Sequence, residues 1–173
     1  MAATGTLRLD DQLCFGLYAA TTAITRAYRP LLAGIGLTYP QYLVMMVLWQ
    51  HGELAVQDIA ARLHLPPHGV SPLVERLAAA GLVERRREAP DRRVVHVRLT
   101  ATGAGLEAEA ARVQQAVARR TRLRPDALDA LREDLHDLVR VVAGDGASRP
   151  APVTSGPARR ADPAPTPPHP GAS

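Results

Sequence analysis

Between Val56 and Thr100 the chain orders two short helical segments, a double proline and two strand segments, and few folds accommodate that order. Val56 to Leu63 reads as a short helix. Pro66-Pro67 breaks it and restarts the chain as a helix from about His68 to Ala80, closed by Gly81, a residue suited to the left-handed conformation that ends helices. Pro72 falls in the early turns of that second helix, where proline is best tolerated. Leu82–Arg85 and Val94–Leu99 then read as strands, joined by the turn-forming stretch Glu88-Ala89-Pro90-Asp91.

The flanks are helical. Leu9 to Tyr28 carries apolar residues at helical spacing (Leu13, Leu17, Ala20, Ile24, Ala27) and is expected to stop before Pro30. Thr38 is a plausible N-cap for Tyr39 to Gln50, with Pro40 in the first turn and Gly52 at the end. Thr100 should cap a long Ala-rich helix to about Thr121. Pro125 opens a last one, Asp126 to Val142, with Leu128, Leu131, Leu135, Leu138 and Val142 on one stripe. The predicted fold class is therefore mainly α with a small β-hairpin, the order of a winged helix-turn-helix. Tyr39, Tyr42 and Trp49 are expected in its core, since apolar residues surround them.

Charge points to a partner. All 21 basic residues are arginine, and the formal net charge is +4. Arg85, Arg86, Arg87, Arg92, Arg93 and Arg98 crowd into fourteen residues, with Glu88 and Asp91 as the acids between them. Such clustering is the footprint of phosphate binding. A helix of about thirteen residues fits the DNA major groove, roughly 12 Å wide, while a basic hairpin reaches the adjacent minor groove.

Cys14 is the only cysteine in 173 residues, so no disulfide forms within the chain, as suits a reducing cytosol. It lies in a helix-like segment. At about 100° per residue, Tyr18 and Tyr28 fall within roughly 40° of it on one helical face. Fourteen residues of helix rise about 21 Å, so Tyr28 cannot touch the cysteine of its own helix but can meet that of a second chain running antiparallel. A thiol beside phenolic donors is one whose reactive anion is stabilised. The competing reading is a small buried hydrophobe.

The chain resembles the MarR family of bacterial regulators. The matching residues are Gln57-Asp58-Ile59-Ala60-Ala61-Arg62-Leu63, Ser71-Pro72-Leu73-Val74-Glu75-Arg76-Leu77, Gly81-Leu82-Val83, and the wing Pro90-Asp91-Arg92-Arg93-Val94 closed by Arg98-Leu99-Thr100. The resemblance implies a dimer on double-stranded operator DNA. It also implies that Arg93 of the Asp-x-Arg wing enters the minor groove while Asp91 orients the wing. His68, Ser71, Arg76, Arg85 and Arg87 complete the expected DNA-binding set.

Within the family, Leu13-Cys14-Phe15-x-Leu17-Tyr18-Ala19, Tyr28-x-Pro30-Leu31-Leu32 and Leu37-Thr38-Tyr39-Pro40-Gln41-Tyr42-Leu43 are similar to the one-cysteine organic hydroperoxide resistance regulators. That resemblance implies that Cys14 is a peroxide sensor whose thiolate is supported by Tyr18 and Tyr28. An organic hydroperoxide would take it to sulfenic acid, and a low-molecular-weight thiol would form a mixed disulfide. The apolar residues Leu13, Phe15, Leu17 and Ile24 would favour organic peroxides over hydrogen peroxide. The chain departs from the family at Pro66-Pro67-His68-Gly69, where an aspartate N-cap is usual, so no operator sequence carries over.

The expected organisation is a winged-helix domain with terminal dimerisation helices over 1–143, its DNA-binding core at about 54–100. A Pro/Ala-rich tail over 144–173 follows; eight of the fifteen prolines lie in Pro150–Pro170, and the tail is expected to be disordered. No signal peptide or membrane span is read, and the expected location is cytoplasmic. The function expected is that of a transcriptional regulator, most simply a repressor and not an enzyme, with no metal or cofactor. The alternative is a repressor released by a small aromatic ligand, with Cys14 structural.

Overall fold

A computed structural model describes residues 7–87 and 94–144. A 3₁₀ turn at Leu9–Asp11 leads into α1 (Leu13–Ala33), followed by α2 (Tyr39–His51), β1 (Leu54–Ala55), α3 (Val56–Arg62) and α4 (Pro67–Ala79). The hairpin strands β2 (Val83–Arg87) and β3 (Val95–Leu99) precede α5 (Ala101–Gly105), α6 (Glu107–Arg120) and α7 (Pro125–Ala143). Helices dominate, and the strands form one antiparallel sheet in the order β1-β3-β2. This is the winged-helix architecture expected, with one strand more: β1 pairs Leu54 with Val97 and Ala55 with His96. Two residues are too few to leave an alternating pattern in the sequence.

The core lies under the helix-turn-helix. Apolar residues run round most of α2, which buries Tyr42, Val44, Met45, Val47 and Leu48. These pack with Ile59 and Ala60 of α3, Val70, Val74 and Leu77 of α4, and Val83 and Val97 of the sheet. Each such aliphatic side chain contributes about 1.5–3 kcal/mol on full burial. The start of α2 is fixed by Gln41, whose side-chain oxygen accepts from the Thr38 backbone N–H at 2.8 Å and from the Thr38 hydroxyl at 2.9 Å.

Two boundaries correct the sequence reading. α1 does not stop before Pro30 but carries it inside the helix to Ala33. The proline forfeits one N–H bond; continuation is compensated by Leu32, fully buried in the core, and by a closing turn in which Gly36 and Leu37 donate to the Ala33 and Leu32 carbonyls. The helix expected from Thr100 to Thr121 is two helices, broken at Leu106. Gly103 and Gly105 weaken it there, and Gly103 is pinned: a Cβ on it would lie 2.0 Å from the Leu82 carbonyl oxygen. The Trp49 indole N–H donates to the Gly103 carbonyl at 3.0 Å, and the Thr100 hydroxyl donates to the Gly81 carbonyl at 2.7 Å. Together they clamp α2, α5 and the base of the wing.

Candidate DNA-binding and redox site

α4 separates two faces. Val70, Val74 and Leu77 are buried, while His68, Ser71, Pro72 and Glu75 lie on the opposite side and Arg76 flanks them. His68 and Arg76 are exposed. The half-buried Ser71 donates its hydroxyl to the Pro67 carbonyl at 3.2 Å. Pro67 takes the first helical position, where proline's missing N–H costs nothing and its φ suits the helix.

The arginine cluster is less uniform than its sequence suggests. Arg85 pairs with Glu75 of α4 at 3.4 Å, and Arg98 donates to Glu84 across the hairpin at 2.8 Å. The hydrogen bond and charge of Glu84 raise the Arg98 pKa, keeping it protonated. Among the described residues no carboxylate pairs with Arg86 or Arg87. The β2–β3 register places Arg85 opposite Val97 and Arg87 opposite Val95, so these two share a face, and Arg86 takes the other. Arg85 also lines a cleft of about 220 Å³ with Gln57, Pro67 and Ser71, joining the wing to the start of α4. Asp91, Arg92 and Arg93 lie outside the described residues.

Cys14 and Tyr18, one turn apart on α1, are both exposed in the single chain, Tyr18 at 69%. The competing picture of Cys14 as a buried hydrophobe is therefore not what one chain shows. Nor does it place the cysteine in an apolar pocket: Leu13 is 63% exposed and Ile24 is exposed too, while Phe15 and Leu17 are half-buried. Tyr28 lies fourteen residues along the same helix and is not brought to Cys14 within the chain. Its ring packs instead on Tyr39 and Tyr42, with centroids 5.1 and 5.6 Å away.

This aromatic cluster was only partly visible in the sequence. Tyr42 is core, at 2% exposure, whereas Tyr39 and Trp49 are half-buried at its edge. Tyr28, Tyr39 and Tyr42 pack ring against ring. Burial raises the pKa of all three tyrosines, and for Tyr28 the neighbouring Tyr39 adds to it. They stay protonated donors at neutral pH. Nothing in the spacing of residues 28, 39 and 42 announces the cluster, because the turn at Gly34–Leu37 brings the two helices together.

A sequence profile of the MarR family matches residues 35–94. The organic hydroperoxide resistance transcriptional regulator of Bacillus subtilis is 39% identical over 104 residues, covering 60% of this chain and 71% of that protein. The chain belongs to the MarR family. It is thus a MarR-family transcriptional regulator, like the relatives it resembles. The HTH-type transcriptional regulator TtmR of Methylorubrum extorquens is 52% identical over 99 residues, which span 57% of this chain and about half, 51%, of TtmR. Among solved structures, overoxidised AbfR bound to DNA is 29% identical with a TM-score of 0.64, over 78% of this chain and 95% of that one. The family profile begins beyond Cys14, Tyr18 and Tyr28, so it covers α2 to β2 and leaves out α1 and β3. No helix among the described residues is long and apolar enough to cross a membrane.

Proposed function

We propose that this MarR-family regulator is a homodimeric repressor that senses organic hydroperoxides through Cys14. The observation that carries the reading is the placement of its sole cysteine: exposed on α1, one turn from Tyr18, on a face whose apolar neighbours are left uncovered in a single chain. The likeness to a hydroperoxide resistance regulator supports it. A second copy, with α1 antiparallel, would bring Cys14 to the hydroxyl of the partner's Tyr28. α7 supports a dimer independently: it buries no residue, and Leu131, Leu135, Val139 and Val142 are exposed along it.

The chemistry is that of a thiolate and a peroxide. The Cys14 sulfur attacks the terminal oxygen of ROOH, the O–O bond breaks, and RO⁻ leaves and takes a proton as ROH. The sulfur retains OH as sulfenic acid. A small thiol then forms a disulfide with it, expelling the OH group as water. The adduct sits between the two α1 helices and alters the spacing of the recognition helices α4, which must lie about one DNA turn apart, roughly 34–36 Å. His68, Ser71 and Arg76 face the major groove in this reading, Arg85 and Arg87 hold phosphates, and Arg93, oriented by Asp91, enters the minor groove. The domain spans 1–143, with 144–173 as an appended tail. Intact mass and operator binding, measured on one sample before and after cumene hydroperoxide, test the proposal. A thiol adduct accompanied by DNA release supports it, whereas release without any mass change would leave an ordinary ligand-responsive repressor.

A further inference from the structure

α1 and the start of α2 enclose a groove of about 560 Å³, lined among others by Thr22, Thr25, Arg26, Arg29, Leu37 and Tyr39. Its charge is all of one sign. α1 contains no acidic residue, and Arg26 and Arg29 are its only charges. Like Arg86 and Arg87 on the wing, neither groove arginine has a carboxylate partner among the described residues. The groove is therefore a cationic recess with the hydroxyls of Thr22 and Tyr39 and an aliphatic wall.

Its position gives the charge a use. Tyr39 lines the groove, and its ring lies against Tyr28, the residue placed to meet the partner's sulfur. In a helix antiparallel to α1 the opposing thiol would arrive at that end of the groove. From this we infer that the groove binds the anionic small thiol that resolves oxidised Cys14, with Arg26 and Arg29 holding its carboxylates. The inference rests on the reading of Cys14 given above. A thiol rather than a peroxide is the fitting occupant, because guanidinium groups stabilise the thiolate, the form that attacks, and offer no comparable activation to a neutral hydroperoxide. The step balances: the incoming RS⁻ attacks the sulfenic sulfur, the S–S bond forms, the S–O bond breaks, and hydroxide leaves and is protonated to water.

The test uses the full chain, first oxidised to sulfenic acid and freed of peroxide, and follows mixed-disulfide formation by intact mass. Compared per thiolate, mercaptosuccinate should react about tenfold faster than 2-mercaptoethanol, and added salt should shrink the preference. The Arg26→Gln, Arg29→Gln double variant should bring the two thiols within about twofold. No preference in the wild type, or an undiminished one in the double variant, overturns the inference. A second arm separates it from the redox reading. S-methylated mercaptosuccinate, which cannot react, is titrated into Cys14→Ser protein by NMR. Saturation that disappears in the double-arginine background supports the groove even if Cys14 proves inert to peroxide, and saturation absent or indifferent to those arginines refutes it.

Discussion

The segment from Leu54 to Thr100 and the helices that flank it solve the burial problem differently. In the first, every short element is closed by a neighbour: α3, α4 and the sheet share one core, and the Trp49, Thr100 and Gly103 contacts lock its base. The N-terminal half of α1 and the whole of α7 carry comparable apolar stripes yet bury none of their residues, and Val142 remains 77% exposed. The difference teaches which part is self-sufficient. The described part of the winged helix buries its core within one chain, whereas the arms leave their apolar stripes uncovered there, and the proposed sensor lies on an arm.

The largest expected effect breaks the arms. Leu135→Arg with Val139→Arg should convert dimer to monomer in sedimentation and weaken operator binding about a hundredfold or more, because two half-sites are no longer held together. A variant that stayed dimeric would remove the assignment of α7. Within the body, Gly103→Ala forces a methyl onto the Leu82 carbonyl and should destabilise the fold by about 3 kcal/mol, read as a drop in thermal midpoint. Gly105→Ala, which meets nothing, should leave the midpoint unchanged or raise it slightly.

On the wing, Arg93→Ala should weaken operator binding strongly, through loss of a minor-groove contact. Arg87→Ala should weaken it less and reduce the salt slope by about one unit. Arg85→Ala should do less still, because Glu75 already offsets its charge. Equal effects of Arg85 and Arg87 would show that the Glu75 pair opens on DNA. Smallest of all, deleting Gly146–Ser173 should leave melting and operator affinity as they are.

The body was legible in the sequence because its signals are local. Pro66-Pro67 and Gly81 punctuate the helices, and Thr38 with Pro40 announces the start of α2. What escaped was settled by tertiary contact. Pro30 reads as a stop until Leu32 is seen in the core, and the Ala-rich run after Thr100 reads as one helix until Gly103 meets Leu82. At the candidate site, Cys14 and Tyr18 follow from helical spacing. The Tyr28–Tyr39–Tyr42 cluster and the Arg85–Glu75 pair depend on how helices and strands fold back on each other, which no spacing rule encodes.

The central claim is that Cys14 makes the arms responsive while the body only reads DNA. Operator binding by Cys14→Ser, followed before and after an organic hydroperoxide, tests it most directly. Serine keeps nearly the same volume and a hydroxyl but cannot be oxidised as a thiol is. The variant should bind operator as the wild type does and stay bound after peroxide, under conditions that release the wild type. Tyr28→Phe, run beside it as a folded control, should release more slowly without losing the response. Release of Cys14→Ser from DNA on peroxide treatment would contradict the account and make the cysteine a bystander.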